Sequence, residues 1–153
     1  MIEYEDIIKD SPFLVNHLIS LKKTHDFFIN KHIKNETEIH PSQYYMLLFL
    51  YYEMGTTQSD IAKACLMDRS GVSRAFKDFE EKELITREID ADNKRAYKIN
   101  LTKKGIETAE FLIEKEKEWD NMICEDLNIS RDDLLKLLSE ISLKSLEFNR
   151  KQF

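Results

Sequence analysis

Along most of this chain apolar residues recur at helical spacing, and the period changes once, between Leu84 and Leu101. There Tyr97, Ile99 and Leu101 alternate with Lys98 and Asn100, the two-residue repeat of a half-buried strand. The polar residues 90–94 before it read as a hairpin tip, with residues 84–89 as the partner strand. One short hairpin in a helical background leaves few folds open. The chain also has only three Gly and two Pro in 153 residues. A sandwich or barrel needs a turn roughly every 8–12 residues and far more punctuation than that. The expected fold is therefore mainly α with a small β-hairpin.

The helix starts are announced by their caps. Ser11 and Pro12 place a hydroxyl before a proline at the first helical position. Leu14, Leu18, Leu21, His25, Phe28 and His32 then follow in steps of four and three, predicting a helix over roughly 11–34. Pro41 opens a second helix to about residue 53, apolar around most of its circumference and hence buried, with Gly55 expected just past its end. Thr57-Gln58-Ser59-Asp60 is a capping box for a short helix reaching about Cys65, and after a tight connection Asp68 caps another running to about Lys82. Thr102-Lys103-Lys104-Gly105 leads into a helix ending near Leu127. Ser130-Arg131-Asp132-Asp133 caps the last one, which carries Leu134, Leu137, Leu138, Ile141 and Phe148.

The segment after Asp68 is the most informative. At 100° per residue, Ser73, Arg74 and Lys77 fall within about 60° of Ser70, whereas Val72, Ala75, Phe76 and Phe79 lie about 120° or more away. Two short helices in tandem, the second with one apolar face and one face of hydroxyls and cations, describe a helix-turn-helix whose second helix can enter a major groove. The net charge of -6 argues against nucleic acid at first sight, but it averages unlike parts. Residues 56–105 hold 11 basic and 9 acidic groups; the rest hold 12 and 20. Residues 69–77 and 93–104 contain no acid at all. Acidic groups beyond a Debye length, roughly 8 Å in physiological salt, are largely screened from a phosphate contact. A basic hairpin beside a recognition helix is a winged arrangement, whose tip can reach the neighbouring minor groove.

These residues together resemble a family. Asp68-Arg69-Ser70-Gly71-Val72-Ser73-Arg74 is similar to the recognition-helix start of the multiple-antibiotic-resistance regulator (MarR) family of winged-helix repressors. Leu84-Ile85-Thr86-Arg87, the stretch 90–95 and Leu101-Thr102-Lys103-Lys104-Gly105 resemble that family's wing and its closing Leu-Thr-x-x-Gly. Helix order and length agree nearly end to end. The resemblance implies a winged helix-turn-helix DNA-binding domain over 41–105, flanked by helical dimerisation segments at 1–40 and 106–153. It implies a homodimer on an inverted repeat of double-stranded DNA. Arg69, Ser70, Ser73, Arg74 and Lys77 would then meet the major groove or its backbone, Lys98 and Lys103 phosphates, and Arg95 with Asn93 and Lys94 the minor groove. Two positions depart from the family: Glu83 stands where Gly is usual, and Asn93 where an Asp pairs with the wing Arg.

The resemblance further implies a small phenolic or anionic effector between the dimerisation helices and the winged domain, for which His25, Phe28, His32, Tyr44 and Tyr51 are candidates. A metal is not expected: His17, His25 and His32 are two helical turns apart, about 10 Å or more. Cys65 and Cys124 match no zinc or redox spacing and are expected to be inert. No cofactor is expected. Neither a catalytic triad, a Gly-rich phosphate loop nor paired carboxylates are legible, so the chain is read as a regulator, not an enzyme. Residues 1–10 are acidic, unlike a secretory leader, and the longest apolar run, Tyr44–Tyr52, is half a membrane span. A cytoplasmic protein without membrane contact is expected. The rival reading is a winged helix used for protein contacts without DNA.

Overall fold

A computed structural model of the chain describes residues 8–65, 67–89 and 97–152. It divides into two compact units, 1–115 and 116–153. In the first unit α1 (Leu14–Glu36) is followed by a 3-10 turn (Pro41–Gln43) that leads directly into α2 (Tyr44–Tyr52). After β1 (Thr56–Thr57) come α3 (Gln58–Ala64) and α4 (Arg69–Glu81), then β2 (Ile85–Ile89) and β3 (Tyr97–Leu101). Helix α5 (Lys103–Leu127) begins in this unit. The second unit carries α6 (Arg131–Gln152).

The core of the first unit draws on every helix within it. Ile29 and Ile33 from α1, Met46, Leu47 and Leu50 from α2, Ile61 from α3, Phe76 and Phe79 from α4, and Ala109 and Leu112 from α5 form one buried cluster. Helix α2 is buried over most of its surface, as its apolar run requires.

Caps explain where the helices begin, with corrections at two of them. Helix α1 starts at Leu14 rather than at residue 11, and Phe13 caps it without a side-chain bond. The Ser11 hydroxyl instead accepts from the Asn16 amide at 2.9 Å and the Phe13 N–H at 3.4 Å, closing a turn ahead of the helix. Pro41 opens the 3-10 turn, not α2 itself. His40 is the cap there, its ring nitrogen accepting from the Ser42 N–H while the Gln43 side chain reaches back to the His40 N–H. The Thr57 and Asp68 caps stand where the sequence sets them, accepting from the Asp60 and Gly71 N–H groups.

The sheet has three antiparallel strands in the order β1-β3-β2. The hairpin register pairs Ile85 with Leu101, Arg87 with Ile99, and Ile89 with Tyr97. Ile85, Ile99 and Leu101 are buried, whereas Ile89 and Tyr97 at the far end are exposed. Strand β1 was not legible: two threonines cannot display an alternation, and Thr57 reads as a helix cap. Both roles hold, since Thr56 pairs with Ile99 and Thr57 with Lys98. Gly55 takes a left-handed φ of 78° and donates its N–H to the Ile99 carbonyl, so it serves the sheet rather than the end of α2.

In the second unit, Asn128 has a left-handed φ of 52° beyond the end of α5. Arg131 then pairs with Asp120, its NH2 atom 2.7 Å and its Nε 2.9 Å from the same carboxylate oxygen. Among the described residues no helix is long and apolar enough to cross a membrane.

Candidate nucleic-acid interface

The tandem α3 and α4 form the helix-turn-helix, and α4 presents its two faces as the 100° arithmetic requires. Val72, Phe76 and Phe79 have no exposed surface and Ala75 is 7% exposed. Arg69, Ser70, Ser73, Arg74 and Lys77 are all exposed. The start of the helix is fixed by Asp68, whose carboxylate accepts from the Ser70 hydroxyl at 2.5 Å and the Gly71 N–H at 2.8 Å. The Ser70 hydroxyl first, then the Gly71 N–H, hold this carboxyl below its ordinary range. Ser70 is thus oriented by its own cap. Lys77 lies 3.7 Å from Glu81 on the exposed surface, an ion pair too open to hold it from another partner.

Beyond α4 the chain turns sharply. Glu83 adopts a φ of 57°, the left-handed conformation that favours glycine. Leu84 donates its N–H to the Phe79 carbonyl and accepts from the Thr102 N–H, placing β2 against the end of α4. The Thr102 hydroxyl donates to the Glu83 carbonyl at 2.6 Å and accepts from the Gly105 N–H at 3.0 Å. Gly105 has to be glycine: a Cβ there would stand 2.0 Å from the Leu84 carbonyl oxygen. The Leu-Thr-x-x-Gly sequence is therefore a steric and hydrogen-bonded joint between the wing and α5.

Lys98 and Lys103, predicted to meet phosphate, differ from each other and from the cations beside them. Lys103 is nine-tenths exposed and 3.7 Å from Glu107. Lys98 is half-buried opposite Glu88 in the hairpin register. Lys104 is committed internally, donating to Glu38 at 2.6 Å and to the Lys82 carbonyl at 3.0 Å. Arg87, on the β2 face toward the core, pairs with Glu80 at 2.7 Å and lies over the Phe76 ring. Asn93, Lys94 and Arg95 lie outside the described residues.

Four of the candidate effector residues meet in ring pairs. The His25 and Tyr44 rings are 6.5 Å apart, and the Phe28 and His32 rings 4.8 Å apart. Tyr44 is 3% exposed and belongs to the core. His32 is bound to Glu36 at 2.5 Å, and Tyr51 donates to Glu110 of α5 at 3.2 Å. The Cys65 thiol is half-buried, and that burial pushes its pKa up, away from the reactive thiolate. Sequence reasoning missed a further contact at α4: Gln43 Nε2 donates to Asp78 Oδ2 at 2.7 Å. Its only trace is a polar residue standing between Pro41 and an apolar run.

Comparison with known proteins places this geometry. Residues 37–96 match the model of the MarR family. The Staphylococcus aureus protein MepR, solved as a complex with DNA, is 26% identical, with 88% of this chain and 99% of MepR covered and a TM-score of 0.69. The chain has the winged-helix fold of the MarR regulators, and its winged segment is the part that matches the family's model. A MarR transcriptional regulator from Methanosarcina mazei Go1 shares the fold at 20% identity, with 90% and 99% of the two chains covered and a TM-score of 0.77. A putative MarR family transcriptional regulator from Listeria monocytogenes, complexed with a 26mer DNA, does so at 19% identity, 91% and 89% coverage and a TM-score of 0.74. Curated proteins returned no match to the sequence.

Proposed function

We propose that this protein is a regulator of the MarR type: a sequence-specific DNA-binding transcriptional regulator that acts as a homodimer on an inverted repeat and represses by occupying promoter DNA. The observation that carries the reading is the split of α4 into a wholly buried apolar face and an exposed face bearing Arg69, Ser70, Ser73, Arg74 and Lys77. That face has the donors and the span to meet base edges and phosphates of a major groove. The similarity to MepR, which has been solved with DNA, supports the same use. Lys98 and Lys103 are assigned to phosphates, and Arg95 with Asn93 and Lys94 to the minor groove on sequence alone.

The dimer is proposed from unpartnered apolar surface in each unit. Helix α1 and the residue before it expose Phe13, Leu14, Val15, Leu18 and Ile19; α6 exposes Leu137, Leu143, Leu146 and Phe148. Stripes of this extent are seldom left to solvent. A small phenolic or anionic effector meeting His25, Phe28, His32, Tyr44 or Tyr51 would favour a dimer whose recognition helices are no longer one helical turn, about 34 Å, apart.

Selection of bound duplexes from a random pool tests the reading. Enrichment of an inverted repeat supports dimer and DNA recognition together. No enrichment, with capture of a protein partner whose affinity ignores salt, supports the rival use of the winged helix for protein contacts.

A further inference from the structure

Gln43 is 8% exposed, the one buried polar side chain among the described residues. Its Oε1 accepts from the His40 N–H at 2.7 Å, a local bond that closes the 3-10 turn. Its Nε2 donates to Asp78 Oδ2 at 2.7 Å, across 35 residues of sequence and from the lead-in of α2 to the last turn of α4. Asp78 Oδ2 also accepts from Lys82 Nζ at 2.6 Å. The acceptor is thereby held from α4 itself as well as from Gln43.

We propose that Gln43 is a positioning residue for DNA recognition: through Asp78 it sets the rotation of α4 about its own axis, and with it the direction in which Arg74 and Lys77 leave the helix. The proposal rests on the DNA-binding reading. The apolar contacts of Val72, Ala75, Phe76 and Phe79 hold α4 down but are non-directional. A buried hydrogen bond is directional, and losing it strands polar atoms away from water. At 100° per residue Asp78 lies about 40° from Arg74 and one turn further along, at the margin of the exposed face. Gln43 and Arg74 line the same crevice, about 260 Å³, between the 3-10 turn and α4. A rotation of about 20° would carry an atom roughly 6 Å from the axis through about 2 Å, enough to break the bond. The pair therefore resists the motion that would most displace Arg74.

The test uses the full chain, the duplex that the wild type enriches from a random pool, and a scrambled duplex of equal length and composition. The readout is the ratio of the two affinities, by fluorescence anisotropy. Gln43→Leu and Asp78→Leu are each expected to lower that ratio about tenfold, and the double variant no further. Asp78→Asn keeps an acceptor for the Gln43 amide and is expected within about threefold of wild type. A merely structural role would lower both affinities together, in step with the folded fraction seen by circular dichroism. The proposal is overturned if either folded Leu variant keeps the wild-type ratio, if the two losses add, or if neither variant folds. If only one folds, it decides. A wild-type chain that enriches no duplex defeats the DNA-binding reading itself, and the positioning role falls with it.

Discussion

Glu83 and Gly105 answer backbone crowding in opposite ways. Glu83 holds a left-handed φ of 57° with a full side chain, whereas Gly105 lacks a Cβ because the Leu84 carbonyl occupies its place. A non-glycine residue in that conformation costs about 1 kcal/mol, part of which is recovered because glycine is more disordered when unfolded. Glu83→Gly is thus expected to raise stability by about 0.5 kcal/mol in urea titration. Gly105→Ala forces backbone against backbone and should cost about 2 kcal/mol, lowering Tm by roughly 4–8 °C. Unchanged melting of this variant would show that the joint yields. Three carboxyls link stability to pH. Asp60 is held below its ordinary pKa by the Thr57 hydroxyl, and Asp68 by Ser70 and Gly71. Burial pushes Asp78 up, but Lys82 and Gln43 outweigh it and leave it lowered. Groups whose pKa is depressed on folding contribute stability above the unfolded value, about 3.9, that is lost as pH falls through the folded values. Tm should therefore hold above about pH 5 and fall below about pH 4, with a shallower fall in Asp78→Asn.

At the scale of elements, α4 was legible because its seventeen-residue neighbourhood carries its own cap, its period and its turn. The hairpin was legible in β3 for the same reason: five residues alternate strictly and end at Leu101. What escaped was non-local. Strand β1 is defined by pairing with Ile99 and Lys98, far along the chain, and Gln43 by a partner on another helix. The start of α1 was misplaced because a Ser-Pro pair can close a turn as readily as begin a helix, and nothing local decides which. The candidate interface divides likewise: the α4 face could be read in one stretch, but which lysines are internally committed, such as Lys104, could not. Arg74→Ala should weaken binding to the selected duplex about 10- to 100-fold at the half-site core. Arg95→Ala should act mainly at A·T-rich flanks. Wild-type affinity and sequence preference in both would remove the DNA reading.

For the whole molecule, the total charge misleads where its distribution informs. The winged segment is slightly basic in an otherwise acidic chain, so non-specific DNA binding should be weak and steeply salt-dependent. Lys103→Ala should reduce the slope of log affinity against log salt by about 1 per protomer, leaving sequence preference intact. Placing charges on α6 with Leu143→Glu and Phe148→Glu, at residues each 63% exposed, should give monomers in sedimentation and abolish binding to the full repeat. Persistence of a dimer would move the interface elsewhere. The hairpin also has a gradient along its length, from the buried Ile85 and Leu101 pair to the exposed Ile89 and Tyr97 pair. Amides along it should exchange with deuterium in that order, slowest beside the Gly105 joint and fastest at Ile89. The hairpin is thus built as a cantilever, clamped at its root, whose outer strands can conform to a groove while the helices behind them stay folded.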